Sequence, residues 1–382
     1  MSGQVGPVYS SGRRALRVAV AHACPRTRQV ILDELGADPA FEAFVPSSCA
    51  EPLEAGVLLL DATGANRLDA VRAANPLLPV VLLETVHGAP EEAPESADLV
   101  RALIDPRGAL DVVPLPSARD LDDATALVAV EGAVRSRLVP MMRALGVARM
   151  PVARCTPLPG PLTPTALLNS WSLQAPFRML SIASGRGSLA ALAGLLSGLP
   201  ADLPVPVVAG QHLPARHLPA LVDVLDRICP LPVRLLPGAG VRLRDLPAGT
   251  VWVTAGASPA DTPGEGLFDG VLDGLLLSAS RGFADGVLAV VLAGIGRDGV
   301  RGASAVREAG GTVLAQDEES SMLWGLPGAV ALAGQADRLV PLGDLPAALT
   351  VTLAVPLHEW DDARGRHAHR PLERPATVGG RR

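Results

Sequence analysis

Ser184, His212 and Asp298 each fall just past an apolar run of strand length: Arg178–Ala183, Val205–Ala209 and Val287–Leu292. A serine hydroxyl is a weak nucleophile at neutral pH and becomes an effective one when a neighbouring base accepts its proton. An imidazole can be that base, and an acid on its far side fixes its tautomer. Ser184 opens the glycine-bordered turn Ser184-Gly185-Arg186-Gly187, which gives a side chain the exposure a nucleophile needs. Ser188 can cap the helix Leu189–Leu196 that follows. The N-terminus of that helix would aim N–H groups at charge developing on a carbonyl oxygen. Each of the three residues also has a structural role open to it. Ser184 can be a turn cap, His212 a hydrogen-bonded structural histidine, and Asp298 the N-cap of the next helix. Their coincidence at three strand ends is what favours chemistry.

The acid sits in the most strongly patterned stretch of the chain, Val287 to Asp317, VLAVVLAGIGRDGVRGASAVREAGGTVLAQD. It reads as strand (Val287–Leu292), glycine-rich turn, helix (Val300–Glu308), glycine stop (Gly310-Gly311) and strand (Thr312–Ala315). This is one βαβ unit of a parallel sheet, with Asp298 at the carboxyl edge where such sheets carry their chemistry. Gly294-Ile295-Gly296-Arg297-Asp298-Gly299 also has the GxGxxG spacing of a dinucleotide-binding turn, with Asp317 near the distance of its ribose-binding acid. A nucleotide-binding enzyme is therefore an alternative reading of the same residues.

The chain has 382 residues, of which 48% are hydrophobic, enough for two packed domains. No apolar run is long enough for a membrane span, and the first residues lack a secretory segment. Cys24, Cys49, Cys155 and Cys229 are scattered without metal-ligand spacing, which suits a reducing, cytoplasmic location, and hydrolysis by a serine, an imidazole and an acid would need no metal and no organic cofactor. Net charge is −6, every basic residue is Arg, and aromatics are only 3%, so the pattern speaks against a nucleic-acid partner and against membrane insertion. The Arg- and His-rich end, ARGRHAHRPLERPATVGGRR, reads as a solvated tail.

Strands are predicted at Leu16–Val20, Phe41–Val45, Gly56–Leu60, Pro79–Leu83 and Asp111–Val113, with helical crossovers such as Thr27–Leu35. The carboxyl edge of that sheet would carry Ala21, His22, Asp61, Thr85 and Leu115. Asp120–Leu145 is mostly helical in pattern, and Met150–Leu167 is rich in proline. The expected organisation is a disordered tail (1–14), a first α/β domain (15–120), a helical, Pro-rich linker (121–175), a second α/β domain (176–352) and a disordered tail (353–382). Both domains read as doubly wound parallel sheets.

The second domain resembles the catalytic domain of the chemotaxis protein-glutamate methylesterases, the CheB type. The stretches that carry the resemblance are SIASGRGS, VVAGQHLP, GVLAVVLAGIGRDGVRGASAVREAGGTVLAQDEESSMLWGLPGAV and ADRLVPLGDLPAAL, which cover most of residues 178–350. The resemblance puts the family's nucleophile on Ser184, its base on His212 and its acid on Asp298. It implies hydrolysis of glutamate γ-methyl esters on chemoreceptor cytoplasmic domains, and deamidation of receptor glutamines in some members. Other chemosensory proteins would be further partners. Gly185 stands where the family has a hydroxyl residue, Arg186 interrupts its glycine pair, and Ile295 replaces its usual Met. Gly185, Ile295 and Gly296 are the residues expected beside the oxyanion, a backbone N–H at Ile295 serving as well as one on Met. Gly256–Gly274 is short and lacks the family's loop motif.

The same resemblance makes residues 15–120 a receiver-like domain with Asp61 at the phosphoryl-accepting position. The family's acidic pair is Ala21-His22 here and its Lys is Leu115. Ala and neutral imidazole offer no hard oxygen ligands for Mg²⁺, so a degenerate receiver with Asp61 as a vestigial acceptor is expected. These departures also frame the alternative to a working enzyme, an inactive relative that binds partners in a chemosensory array.

Overall fold

Five short aliphatic runs, apolar at nearly every position, have to be covered on both faces, which only crossover helices in a parallel sheet can do. The first domain is built this way. In chain order its elements are β1 (Leu16–Ala21), α1 (Pro25–Gly36), β2 (Phe41–Phe44), β3 (Val57–Asp61), α2 (Leu68–Ala74), β4 (Val80–Val86), α3 (Ser96–Ile104) and β5 (Asp111–Pro116). The strands pair in parallel in the order β2-β1-β3-β4-β5, the flavodoxin-like doubly wound order. The order reverses between β1 and β3, so His22 and Asp61 face each other across the crevice at that switch point. The computed structural model describes residues 15–86, 96–116, 124–147, 177–237, 241–254 and 270–353. The two tails and the Met150–Leu167 segment fall outside them.

The helical segment assigned to the linker belongs to the first domain instead. Helix α4 (Ala124–Ala133), a π-helical turn (Val134–Leu138) and α5 (Val139–Val147) run on from one another. Pro140 cannot supply an amide hydrogen and crowds the carbonyl four residues back, which accounts for the widened turn just before it. Val130, Val134, Leu138 and Met142 recur every fourth residue and bury that stripe with Val18, Val20, Ile31 and Val113. Arg135 then closes a forked pair with Glu34 on α1. The boundary expected at 120 therefore moves to at least 147.

The second domain runs β6 (Met179–Ser184), α6 (Leu189–Ser197), β7 (Val207–Gln211), α7 (Leu218–Ile228), β8 (Val233–Leu235), β9 (Val251–Thr254), α8 (Val271–Phe283), β10 (Val287–Val291), α9 (Val300–Glu308), β11 (Thr312–Gln316), α10 (Leu326–Leu332), β12 (Arg338–Val340) and α11 (Leu345–Leu353). Its seven strands are parallel in the order β12-β11-β10-β6-β7-β9-β8. The chain starts at β6, builds outward through β7, then returns to build outward from β10. The switch point lies between β6 and β10, where crevices form at carboxyl ends. Ser184 ends β6, His212 follows β7 and Asp298 follows β10.

Helix α3 of the first domain packs against α6 and α7 of the second, and Leu99, Val100 and Leu103 share one apolar cluster with Leu192, Leu196, Leu221 and Leu225. Two polar clamps flank this contact. Arg216 and His217 both hold Glu84 of β4, and Arg186 reaches Asp111 of β5. Among the described residues no helix is long and apolar enough to cross a membrane.

Candidate active site

The ends of β6 and β7 are joined tightly, because the amide of His212 donates to the Ser184 carbonyl at 3.2 Å. After Ser184 the chain turns through Gly185–Gly187. Gly187 has φ of +80°, and a Cβ there would stand 2.8 Å from Leu323 Cδ1. Gly294, with φ of +139°, lies against Gly185: a Cβ on Gly294 would meet Gly185 Cα at 2.6 Å. The turn after Ser184 and the loop carrying Asp298 therefore touch backbone to backbone, which requires glycine at this contact.

His212 and Asp298 form a buried pair, with His212 Nε2 2.8 Å from Asp298 Oδ2. Asp298 does more than hold the imidazole. Its Oδ2 also accepts the amide of Leu272 and its Oδ1 that of Asp273, both at 2.9 Å, so the carboxylate sits on the first turn of α8. Burial alone would raise the Asp298 carboxyl, but the bonds from His212, Leu272 and Asp273 outweigh it and hold the group below the usual carboxylate range. The helix dipole acts in the same direction.

Helix α8 returns the favour to α9. Asp273 Oδ1 accepts the amides of Gly299 at 2.9 Å and Gly302 at 2.7 Å. Each helix is thus capped by a carboxylate from the other's N-terminal region. Burial pushes Asp273 up, against the Gly302 bond, and the charge of Asp298 adds to the rise. This cross-cap also answers the nucleotide reading. The N-terminus of α9, where a pyrophosphate would sit, already holds a carboxylate, and Asp317 is turned onto Ser320.

The three residues expected beside the oxyanion differ in what their amides do. Gly185 donates to the Ala293 carbonyl at 3.3 Å and Ile295 to the Arg186 carbonyl at 3.1 Å, so the N–H expected from Ile295 is already in use. Gly296 has no acceptor among the described residues and lies exposed with φ of +106°. Ser184 is fully buried, and its Oγ lies 2.5 Å from Ser188 Oγ. Ser188 makes no side-chain capping bond, contrary to expectation, because its hydroxyl is turned back onto this turn.

Sequence reasoning missed Asp273 and Gln211. Gln211 pairs with Ser184 across the sheet and donates from Nε2 to the Gly185 carbonyl at 3.1 Å and the His212 carbonyl at 3.4 Å. An acid at the third position of a helix is a capping signature that could have marked Asp273. Nothing in the sequence marks Gln211 beyond its place before His212.

The CheB methylesterase family model matches residues 180–349. A protein-glutamate methylesterase/protein-glutamine glutaminase of Nocardioides sp. is 31% identical over 86% of this chain and 93% of its own length. A second, from Caulobacter vibrioides, is 32% identical over 74% of this chain and 80% of its own length. The chain belongs to the CheB methylesterase family. Family membership places it among the hydrolases, as the motif resemblance implied. Among solved structures, the Thermotoga maritima CheB methylesterase catalytic domain is similar over 46% of this chain and 97% of that one, at 27% identity and a TM-score of 0.41.

In this CheB-family chain the pocket around Asp61 is filled by its own side chains. Asp61 Oδ1 accepts the amide and hydroxyl of Thr63 at 3.1 and 2.9 Å, and Oδ2 accepts the amide of Ala23 at 3.2 Å. The His22 ring is buried beside it. Nδ1 accepts the Cys24 amide, so the proton of the neutral ring is on Nε2, 3.5 Å from both Asp61 Oδ2 and Thr85 Oγ1. Among the described residues Asp61 is the one carboxylate bonded at this point, and Leu115 is buried in the apolar core. The residues present do not fit a hard divalent cation, which wants several oxygen ligands. Among the described residues no group of three His, Cys, Asp or Glu side chains could hold a metal ion.

Arg186, out of place in a glycine turn, has a partner in the other domain. Its Nε donates to Asp111 Oδ2 at 2.6 Å and its Nη2 to the Val112 carbonyl at 2.8 Å. Both side chains of this pair are buried. Ile295 packs against the same apolar cluster as Leu110 of the first domain.

Proposed function

We propose that this chain is a protein-glutamate methylesterase that hydrolyses glutamate γ-methyl esters on chemoreceptor cytoplasmic domains, with Ser184 as nucleophile, His212 as base and Asp298 as the orienting acid. The observation that carries the reading is the buried His212–Asp298 pair, fixed at a helix N-terminus and held by a main-chain bond beside Ser184. With its proton on Nε2 donated to Asp298, the imidazole presents the Nδ1 lone pair as the base. Nδ1 takes the Ser184 proton as Oγ bonds to the ester carbonyl carbon. The same proton is then delivered to the methoxy oxygen as methanol leaves. Water, deprotonated by His212, releases the glutamate from Ser184. A glutamine substrate would follow the same course with ammonia leaving, the glutaminase activity named in its relatives. The exposed amide of Gly296 is the donor we assign to the oxyanion. The reaction so written uses only side-chain and main-chain groups of this chain and water.

The test is methanol release from methylated chemoreceptor cytoplasmic fragments by the full chain, with Ser184→Ala as control. Release that vanishes in the variant supports the assignment, and equal release by both sinks it. A second reading, a binding module in a chemosensory array, is favoured by the complete burial of Ser184 and by the filled Asp61 pocket. No release from a folded sample offered cognate receptors would select it.

A further inference from the structure

The hydroxyl of Ser188 stands at the N-cap position of α6 yet contributes nothing to the cap. It donates to the Gly185 carbonyl at 2.6 Å and meets Ser184 Oγ at 2.5 Å, with both serines buried. A carbonyl oxygen only accepts, so the one proton of Ser188 is committed to Gly185. The contact between the two serines must then use the proton of Ser184, with Ser188 Oγ as acceptor. The proton of the nucleophile is directed at Ser188 and away from the imidazole.

This arrangement is held by its surroundings. Gly185 has no side chain, so Ser188 is the hydroxyl next to the nucleophile. The turn between them is fixed by Gly187, whose position against Leu323 and Leu110 leaves no room for a Cβ. Gln211 holds the Gly185 carbonyl from the other side. A hydrogen bond between buried groups is stronger than the same bond in water, and it must break before the Ser184 proton can move to His212.

We propose that Ser188 is a positioning residue that competes with His212 for the proton of Ser184, and so sets how readily the nucleophile is activated. The proposal rests on the reading of Ser184 as nucleophile. The contacts of the Ser188 hydroxyl are with Ser184 Oγ and the Gly185 carbonyl. It acts through the rotamer and proton of Ser184, and removing its oxygen releases that proton to the base.

The experiment is the rate of covalent labelling of the full chain by an alkyl fluorophosphonate, followed by intact mass, with Ser184→Ala as the blank. Ser188→Ala labels faster than the unmodified chain by roughly two- to tenfold, the range that one net hydrogen bond spans. Ser188→Thr, which keeps the hydroxyl, labels at the original rate. Ser188→Cys keeps the volume but offers only a weak acceptor, and it also labels faster. Loss of a purely structural contact would slow labelling, so the direction of the change discriminates. Ser188→Ala and Ser188→Cys labelling no faster than the unmodified chain would overturn the role of Ser188 and leave Ser184 as nucleophile. No labelling and no methanol release by any folded variant would overturn both.

Discussion

A carboxylate that orients an imidazole must stay anionic while buried, and here the imidazole itself and two main-chain amides together keep it so. Asp298 accepts the bond from His212 and two amides of α8, and in that order they hold its carboxyl low despite burial. Its folded value lies below the unfolded one of about 3.9, so the stability it contributes is present above that pH and is lost as pH falls through the folded value. Asn at 298 would turn a donor toward either the imidazole or the helix amides. Asp298→Asn is expected to lower kcat on the order of 10⁴-fold with KM little changed, by analogy with the acid of serine triads. Steady-state kinetics on methylated receptor fragments checks this, and a loss under tenfold would remove Asp298 from the site. Asp273 works with the opposite sign. Its carboxyl is raised, so as pH rises from about 4 through the raised value it ionises at a cost in stability. Asp273→Asn keeps the acceptor for Gly299 and Gly302 and removes the charge, so it should gain stability relative to the unmodified chain between pH 4 and 7. Asp273→Ala leaves two amides unbonded and should cost about 2 kcal/mol or more. Urea unfolding at the two pH values measures both, and a difference for Asn that ignores pH would refute the sign. The placement of Ser184, His212 and Asp298 at three strand ends was legible in the sequence because each follows an apolar run. Asp273, Gln211 and the real business of the Ser188 hydroxyl were not, because their partners lie on other elements.

Strands announced themselves by aliphatic runs, and all nine segments read above as strands are strands in the structure, their ends shifted by up to three residues. Helix α8 was hidden. Gly274, Gly282 and two serines weaken its intrinsic helical pattern, and it is held instead by Asp298 at its start and by burial of Leu272, Leu276 and Ala279. Strand β12 has three residues and an exposed edge with Arg338 and Leu339, too short for a periodic signal. The assignment of 121–147 to a linker failed for a related reason: an apolar stripe shows that a helix is buried but not against which sheet. The Arg186–Asp111 pair is likewise an agreement between elements 75 positions apart. A buried ion pair contributes little net stability against apolar replacements, but removing one partner strands the other charge. Asp111→Ala in the full chain is therefore expected to cost about 3–5 kcal/mol of stability. The paired change Arg186→Met with Asp111→Leu should return to the original stability or exceed it. Denaturant unfolding of both singles and the double gives the coupling, and additive effects would show that the pair does not bind the domains.

The two sheets are joined at the places where each could do chemistry, and this shapes how the whole molecule can be controlled. The turn after Ser184 holds β5 through Arg186, and the segment after His212 holds β4 through Arg216 and His217 on Glu84. Burial would raise Glu84, but its bonds to His217 and Arg216 keep the carboxyl below its usual range, so the clamp stays charged at neutral pH. Glu84 adjoins Thr85, which faces His22 and through it Asp61. A phosphoryl group on Asp61 would thus be well placed to disturb the clamp, yet the side chains bonded around Asp61 supply neither a second acid nor a cation for it. Both Asp61 oxygens are bonded, the neighbouring position is an imidazole rather than an acid, and position 115 carries a buried leucine. Incubating the full chain with Mg²⁺ and a small phosphodonor such as acetyl phosphate should leave its intact mass unchanged. Beryllofluoride should leave its thermal midpoint unchanged, where tight binding at a hundredfold excess over Kd would add about 2.7 kcal/mol. Asp61→Asn keeps an acceptor for Thr63 and should alter methanol release by less than about twofold, consistent with the small effects of changes away from chemistry. A phosphorylated Asp61, or a rate that rises with phosphodonor and is lost in Asp61→Asn, would show that imidazole can stand in for the missing acids. Absence of both would mean that the first domain acts through its docked surface alone, and that control of Ser184 has to come through the interface that Arg186 and Glu84 define.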